Sequence, residues 1–125
     1  MKLPHAVPEL PVSDIQAAGG AYAQQMGFTV DWTHENSFAG ISRDDARVFL
    51  RRRTPQEAEQ RYCVTIWLNM TSSAEVDQLY VEWKDRGVPI VEDLRTASYN
   101  LREFTAQDRD GNKLRVFFDV GGATA

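Results

Sequence analysis

The sequence predicts an α+β fold built from two β-α-β-β-β modules, and three observations carry that prediction. The closing stretch, residues 101–120 (LREFTAQDRDGNKLRVFFDV), alternates apolar and polar residues on both sides of Asp108-Arg109-Asp110-Gly111-Asn112. Gly and Asn reach positive φ at least cost and Asp bonds the backbone locally, so the stretch reads as a β-hairpin. A capping residue, a tyrosine and a terminal glycine also occur twice, as Ser13, Tyr22 and Gly27 and again as Thr71, Tyr80 and Gly87. The cap-to-tyrosine spacing is the same in both, and each set is preceded by one strand pattern and followed by three.

Residues 7–12, VPELPV, read as a short strand. Pro8 and Pro11 lack a ladder donor, which places this strand at an edge or exchanges it with another subunit. Ser13 is the expected N-cap of a helix whose apolar stripe is Ile15, Ala18, Tyr22 and Met26, ending at Gly27. Gly19-Gly20 inside it is either a close-packing point or a kink. Strands follow at 28–33, 38–42 and 47–51, with Asp44-Asp45 turning between the last two. Residues 54–61, TPQEAEQR, are polar without an apolar period and read as a connector.

Residues 62–69 form the next strand, with Val64, Ile66 and Leu68 on one face and Cys63, Thr65 and Trp67 on the other. Thr71 or Ser72 caps a second helix with Val76, Leu79, Tyr80 and Trp83 at helical spacing. Gly87 ends it and Pro89 prevents continuation. A strand at 88–91 and a turn-rich segment at 92–100 lead into the hairpin. There Phe104, Ala106, Leu114, Val116 and Phe118 share the helix-facing parity, and Glu103, Thr105, Arg115 and Phe117 point the other way. Charges beside an aromatic ring on that far face suit either open solvent or a ligand cleft, and the rest of the sequence favours the cleft. A single domain over 1–125, with modules at about 7–52 and 62–120, can curl its sheets into a cup with helices outside, and concave sheet faces favour small ligands.

Composition narrows the function. A formal charge of −4 argues against a nucleic-acid surface, which needs clustered cations. Arg51-Arg52-Arg53, the one basic run, reads as a strand end entering a loop. Apolar runs too short for a bilayer and an N-terminus without a signal h-region predict a cytoplasmic protein with no membrane partner. The single Cys63 excludes an internal disulfide, fits a reducing compartment and reads as a packed strand thiol. Neither His5 nor His34 has a neighbour in sequence suggesting a catalytic pair.

Four stretches carry a resemblance: LPVSDIQAAGGAYAQQMGF (10–28), FAGISRDD (38–45), VDQLYVEWKDRGV (76–88) and REFTAQDRDGNKLRV (102–116). With them the chain resembles the glyoxalase/bleomycin-resistance group, the vicinal oxygen chelate superfamily, over nearly its whole length. FAG followed by a basic-acidic turn is most similar to the bleomycin-binding branch. Two departures stand out: Arg109 replaces a usual proline, and Tyr99-Asn100 replaces a usual Trp-Gly.

The resemblance implies a glyoxalase-like fold and, for the superfamily's enzymes, one divalent metal held from four strand positions. Those positions fall at or beside Val7, Phe49, Thr65 and Arg115, none of which suits a metal, and His5 lies two residues off the first. No metal and no cofactor are therefore expected. The expected ligand-binding residues are Trp32, Phe38, Phe49, Trp67, Tyr99, Glu103 and Arg115, with Phe38 and Tyr99 at positions where relatives stack a planar ligand. The leading expectation is a non-catalytic binding protein that captures a flat small molecule such as a bleomycin-like antibiotic, net acidity favouring a cationic one. The alternative is a lyase, isomerase or dioxygenase with a degenerate metal site and Glu103 as general base; a third reading is an unrelated metabolite. The resemblance also implies a homodimer that exchanges the Pro-bearing first strand.

Overall fold

Each half of the chain sets its first strand beside its last. In the computed structural model, which describes residues 1–121, the chain divides into two compact units, Met1–Cys63 and Val64–Ala125. The first contains β1 (Glu9–Val12), α1 (Ile15–Met26), β2 (Thr29–His34), β3 (Phe38–Arg43), β4 (Ala46–Arg52) and α2 (Pro55–Gln60). The second contains β5 (Thr65–Asn69), α3 (Ser73–Asp85), β6 (Ile90–Thr96), β7 (Leu101–Gln107) and β8 (Lys113–Asp119). The sheet orders are β1-β4-β3-β2 and β5-β8-β7-β6. In each, the outer pair β1–β4 or β5–β8 is parallel and the remaining neighbours are antiparallel. The two β-α-β-β-β modules predicted from the sequence are present with the same topology.

In the first unit α1 covers the sheet with Ile15, Ala18, Tyr22 and Met26, against Leu10, Val12, Ala39, Ile41, Val48 and Leu50. Its N-cap is Asp14, not Ser13, the carboxylate accepting from the Ala17 N–H at 2.8 Å. The helix ends on Gly27, left-handed at φ 78. Of the glycine pair only Gly19 is a packing point: a Cβ there would stand 3.3 Å from Val30 Cγ2, while one on Gly20 would meet nothing within 4 Å. β1 lies at the sheet edge, where two prolines are tolerated, and the Pro8 carbonyl accepts from the Phe49 N–H at 2.9 Å.

The connector at 54–61 is the helix α2. Thr54 and Glu57 form a capping box with Pro55 in the first turn, a start signal that outweighs the missing apolar stripe. Arg51 bonds Glu57 through two nitrogens (2.7 and 3.0 Å) and Glu9 at 2.6 Å, tying β1 and α2 to β4. Arg53 Nε donates to the Tyr62 carbonyl at 2.7 Å. The basic run is thus largely consumed inside the fold.

The same pairing sets an acid response. The Arg51 guanidinium and then the Thr54 backbone N–H hold the Glu57 carboxyl down from 4.5 to about 2. A carboxyl depressed on folding stabilises the native state above its unfolded pKa, and that contribution is lost as pH falls through the folded value. Carboxyl chemical shifts should therefore show Glu57 titrating near pH 2, and Arg51→Met should return its midpoint toward 4.5. An unmoved midpoint would mean that the pair does not form.

In the second unit Phe104 lies under α3, with the rings of Tyr80 and Trp83 edge-on at 5.3 and 5.9 Å. Phe104, Ala106, Leu114 and Val116 are buried as their parity predicts, whereas Phe118, near the strand end, is half-buried. The hairpin turn is held by Asp108, whose Oδ1 accepts from the N–H groups of Asp110 and Asn112. Asn112 Oδ1 in turn accepts from the Val64 N–H at 3.0 Å, 48 positions away. β5 begins at Thr65, later than the sequence pattern suggested, so Cys63 precedes the strand and is exposed rather than packed. β6 extends to Thr96, through much of the segment read as turn. No helix of the described residues is long and apolar enough to cross a membrane.

Candidate ligand-binding site

The face of the first sheet turned away from α1 is aromatic. Alternation along β3 and β4 sends Ala39, Ile41, Val48 and Leu50 to the core, leaving Phe38, Gly40 and Phe49 on the opposite side. Trp32 pairs with Gly40, which pairs with Phe49, so the three form one row across β2, β3 and β4. The Trp32 indole lies across Gly40: a Cβ there would be 2.5 Å from Nε1 and 2.6 Å from Cε2. It stacks on Phe38 (5.6 Å between centroids, 22° between planes) and meets Phe49 at 5.7 Å, while Phe38 and Phe49 are 5.3 Å apart. Trp32 remains 40% exposed. The result is a platform of three rings with a glycine beneath, and Arg47 lies 5.9 Å from the Phe49 ring.

The corresponding face of the second sheet is polar and tightly bonded. Glu103, on β7, is only 2% exposed. Its carboxylate accepts from the Tyr99 hydroxyl, from Arg95 Nη2 at 3.2 Å and from Arg115 Nη2 at 3.1 and 3.2 Å. Arg115 also bonds the Tyr99 hydroxyl at 3.2 Å and lays its guanidinium 4.2 Å from the Trp67 ring centroid. Trp67 is edge-on to Phe117 at 5.4 Å. Glu103, first, and Tyr99, second, raise the Arg95 pKa above the ordinary guanidinium value. Thr105, next on the same face, donates to Glu92 at 2.8 Å.

Tyr99 is presented by a tight loop in which Asn100 takes a left-handed conformation, φ 67. The Asn100 N–H donates to the Ala97 carbonyl, and its own carbonyl accepts from the Val120 N–H. Asn is the residue after Gly that adopts this geometry most readily, so the Tyr99-Asn100 sequence keeps a backbone suited to the glycine usual there.

The structure thus groups Trp32, Phe38 and Phe49 on one sheet, and Trp67, Tyr99, Glu103 and Arg115 on the other. Two further participants went unread. Arg95 lies in a segment whose bulges hide its strand, and Gly40 carries no side-chain signal, although a glycine inside a strand marks a close approach.

A family model described as the Glyoxalase/Bleomycin resistance protein/Dioxygenase superfamily matches residues 2–116. The chain belongs to this superfamily. Several solved structures of the glyoxalase/bleomycin-resistance type share its fold. One is a bleomycin-binding protein from bleomycin-producing Streptomyces verticillus, complexed with copper(II)-bleomycin. It is 25% identical, with 93% of this chain and 96% of that one covered at a TM-score of 0.74. A bleomycin resistance determinant encoded on the transposon Tn5 is 18% identical, with 94% and 98% covered and a TM-score of 0.77. A glyoxalase/bleomycin resistance protein/dioxygenase from Nocardioides is 16% identical, with 98% and 88% covered and a TM-score of 0.76. Among curated proteins none is significantly similar to the chain in sequence.

The metal positions that the superfamily's enzymes imply do not fit a divalent ion in this member. Val7 and Phe49 have no donor atom, Thr65 is a neutral hydroxyl, and Arg115 is a cation with no lone pair to give. Phe49 is committed to the ring platform and Arg115 to Glu103. Among the described residues no group of three or more His, Cys, Asp or Glu side chains could hold a metal ion.

Proposed function

We propose that the chain is a metal-independent binding protein of the glyoxalase/bleomycin-resistance superfamily that sequesters a flat aromatic small molecule, such as a bleomycin-like antibiotic. The observation that carries the reading is the Trp32–Phe38–Phe49 platform, in which Trp32 stacks on Phe38, Phe49 lies tilted against both, and the indole stays partly open over a glycine. Stacked rings bind a planar ligand by area and quadrupole and need no reacting group. On the second sheet, Trp67, Tyr99, Glu103 and Arg115 are also proposed to bind ligand, with Glu103 acting through the partners it holds. The bleomycin-binding relative supports the ligand class. Buried among Tyr99, Arg95 and Arg115, Glu103 is poorly placed to take a substrate proton, which disfavours the enzyme reading.

Calorimetric titration with bleomycin and with simple planar aromatics tests the proposal. Phe38→Ala and Tyr99→Ala should each weaken binding by about 1 kcal/mol or more, Tyr99→Phe should keep the stacking part, and a chelator should leave metal-free ligand binding unchanged. Binding abolished by chelation, or lost in Glu103→Gln but kept in both ring variants, would transfer the case to acid-base or metal chemistry.

The protein is further proposed to be a homodimer that exchanges β1. The Pro-bearing β1 occupies a sheet edge, and its parallel ladder to β4 could be supplied equally by a second copy. Sedimentation at micromolar concentration should give twice 14.2 kDa; a monomer at all concentrations would remove the exchange.

A further inference from the structure

Within the reading of a planar-ligand binder, the geometry points to a ligand that carries an anionic group beside its ring, held by Arg95 and Arg115. The second sheet converges two guanidinium groups on a single carboxylate, and that carboxylate is sealed. Glu103 is 2% exposed, so its charge is spent on Tyr99, Arg95 and Arg115 and offers little to a ligand. What remains accessible is cationic and aromatic: the Arg95 side chain is 53% exposed, and the Tyr99 and Trp67 rings about half exposed.

Donor use gives the same direction. Each guanidinium carries five N–H groups, yet among the described residues only Nη2 of Arg95 and Nη2 of Arg115 are bonded, with Glu103 and Tyr99 as their acceptors. Arg115 Nε is buried with no partner, a cost unless something supplies an acceptor. The fork of a guanidinium matches a carboxylate or phosphate through two nitrogens. The other carboxylates on this face already accept hydrogen bonds of their own. Glu92 accepts from Thr105, whose cross-strand partner is Arg115. Asp119, at the far end of β8, accepts from the Gly121 N–H. The open N–H donors beside the Tyr99 and Trp67 rings thus belong to guanidinium groups, and an aromatic acid suits them better than a cation.

Calorimetry with three probes of one shape tests this: 2-naphthoate, 2-naphthamide and 2-naphthylmethylammonium. Naphthoate should bind at least about tenfold more tightly than the amide, as a charge-assisted bond to arginine allows. The ammonium should bind most weakly, and added salt should erode the difference. Arg95→Gln should abolish most of the preference for naphthoate, bringing its affinity down toward that of the amide measured on the same variant. Arg95→Lys should retain part of it. Equal binding of acid and amide, or tightest binding of the ammonium, overturns the inference; if Phe38→Ala still weakens every probe, the stacking function survives that failure. Acid-selective binding indifferent to Phe38→Ala and Tyr99→Ala would leave the inference standing and sink the stacking reading. Failure of all three probes to bind overturns both for this ligand class.

Discussion

Phe104→Ala is expected to destabilise the second unit by about 3–5 kcal/mol, the range for removing a large buried aromatic. Phe104 is fully buried, with Tyr80 and Trp83 edge-on against it from two turns of α3. Truncation therefore removes the contact area and also strands two rings around a cavity that neither can fill without leaving its own packing. The companion is Phe118→Ala, at the same strand parity but half-buried near the end of β8. It should cost only about 1–2 kcal/mol, the scale of partial burial of a large apolar side chain. Urea unfolding measures both, the midpoint giving the stability change provided the slope is unaltered. Equal costs would mean that α3 does not pack on Phe104 as described.

Gly40→Ala should damage ligand binding more than any single ring truncation. One methyl group at this position lands 2.5 Å from Trp32 Nε1, inside van der Waals contact, and the neighbouring obstacle is a rigid indole rather than a flexible chain end. Trp32 must leave, and with it go the stack on Phe38 and the contact with Phe49. Overpacking of this kind costs about 1–3 kcal/mol of stability. Losing several ring contacts at once should weaken a planar ligand by more than about tenfold. Trp32 emission, isolated as the difference from Trp32→Phe, should shift to the red as the indole enters water. A Gly40→Ala protein with parental affinity and emission would show that the platform does not depend on this glycine.

Where side-chain period and backbone geometry agree, the fold was legible from residues alone. The β7–β8 hairpin alternates without interruption, so Phe104, Ala106, Leu114 and Val116 declared the core and Glu103 and Arg115 the other face. β6 was only partly read because its register shifts between Ile90 and Glu92 and again between Glu92 and Arg95, breaking the two-residue period. Arg95 was lost with it. α2 has no apolar face to announce it, although Thr54-Pro55-Gln56-Glu57 carries the start signal. The aromatic members of the candidate site could be named from parity and resemblance. Their grouping could not, because the row Trp32–Gly40–Phe49 depends on cross-strand register, with β2 itself irregular between Val30 and Trp32. Nor does sequence show that Glu103 is enclosed by its own neighbours rather than open to a ligand.

The placement of each unit's first strand beside its last has a consequence for synthesis. β5 pairs only with β8, and the Val64 N–H at its threshold waits for Asn112, 48 positions later. As the chain leaves the ribosome, β5 emerges well before the strand it pairs with, since β8 is the last strand among the described residues. Closing so long a loop is an entropic cost met only when the last strand arrives. The nascent second unit therefore has an apolar strand, Ile66 and Leu68 included, exposed for most of its production. A ribosome stalled before Lys113 would hold a chain whose first unit has all four of its strands and whose second has no ladder for β5, a state marked for chaperones or proteolysis rather than for slow completion.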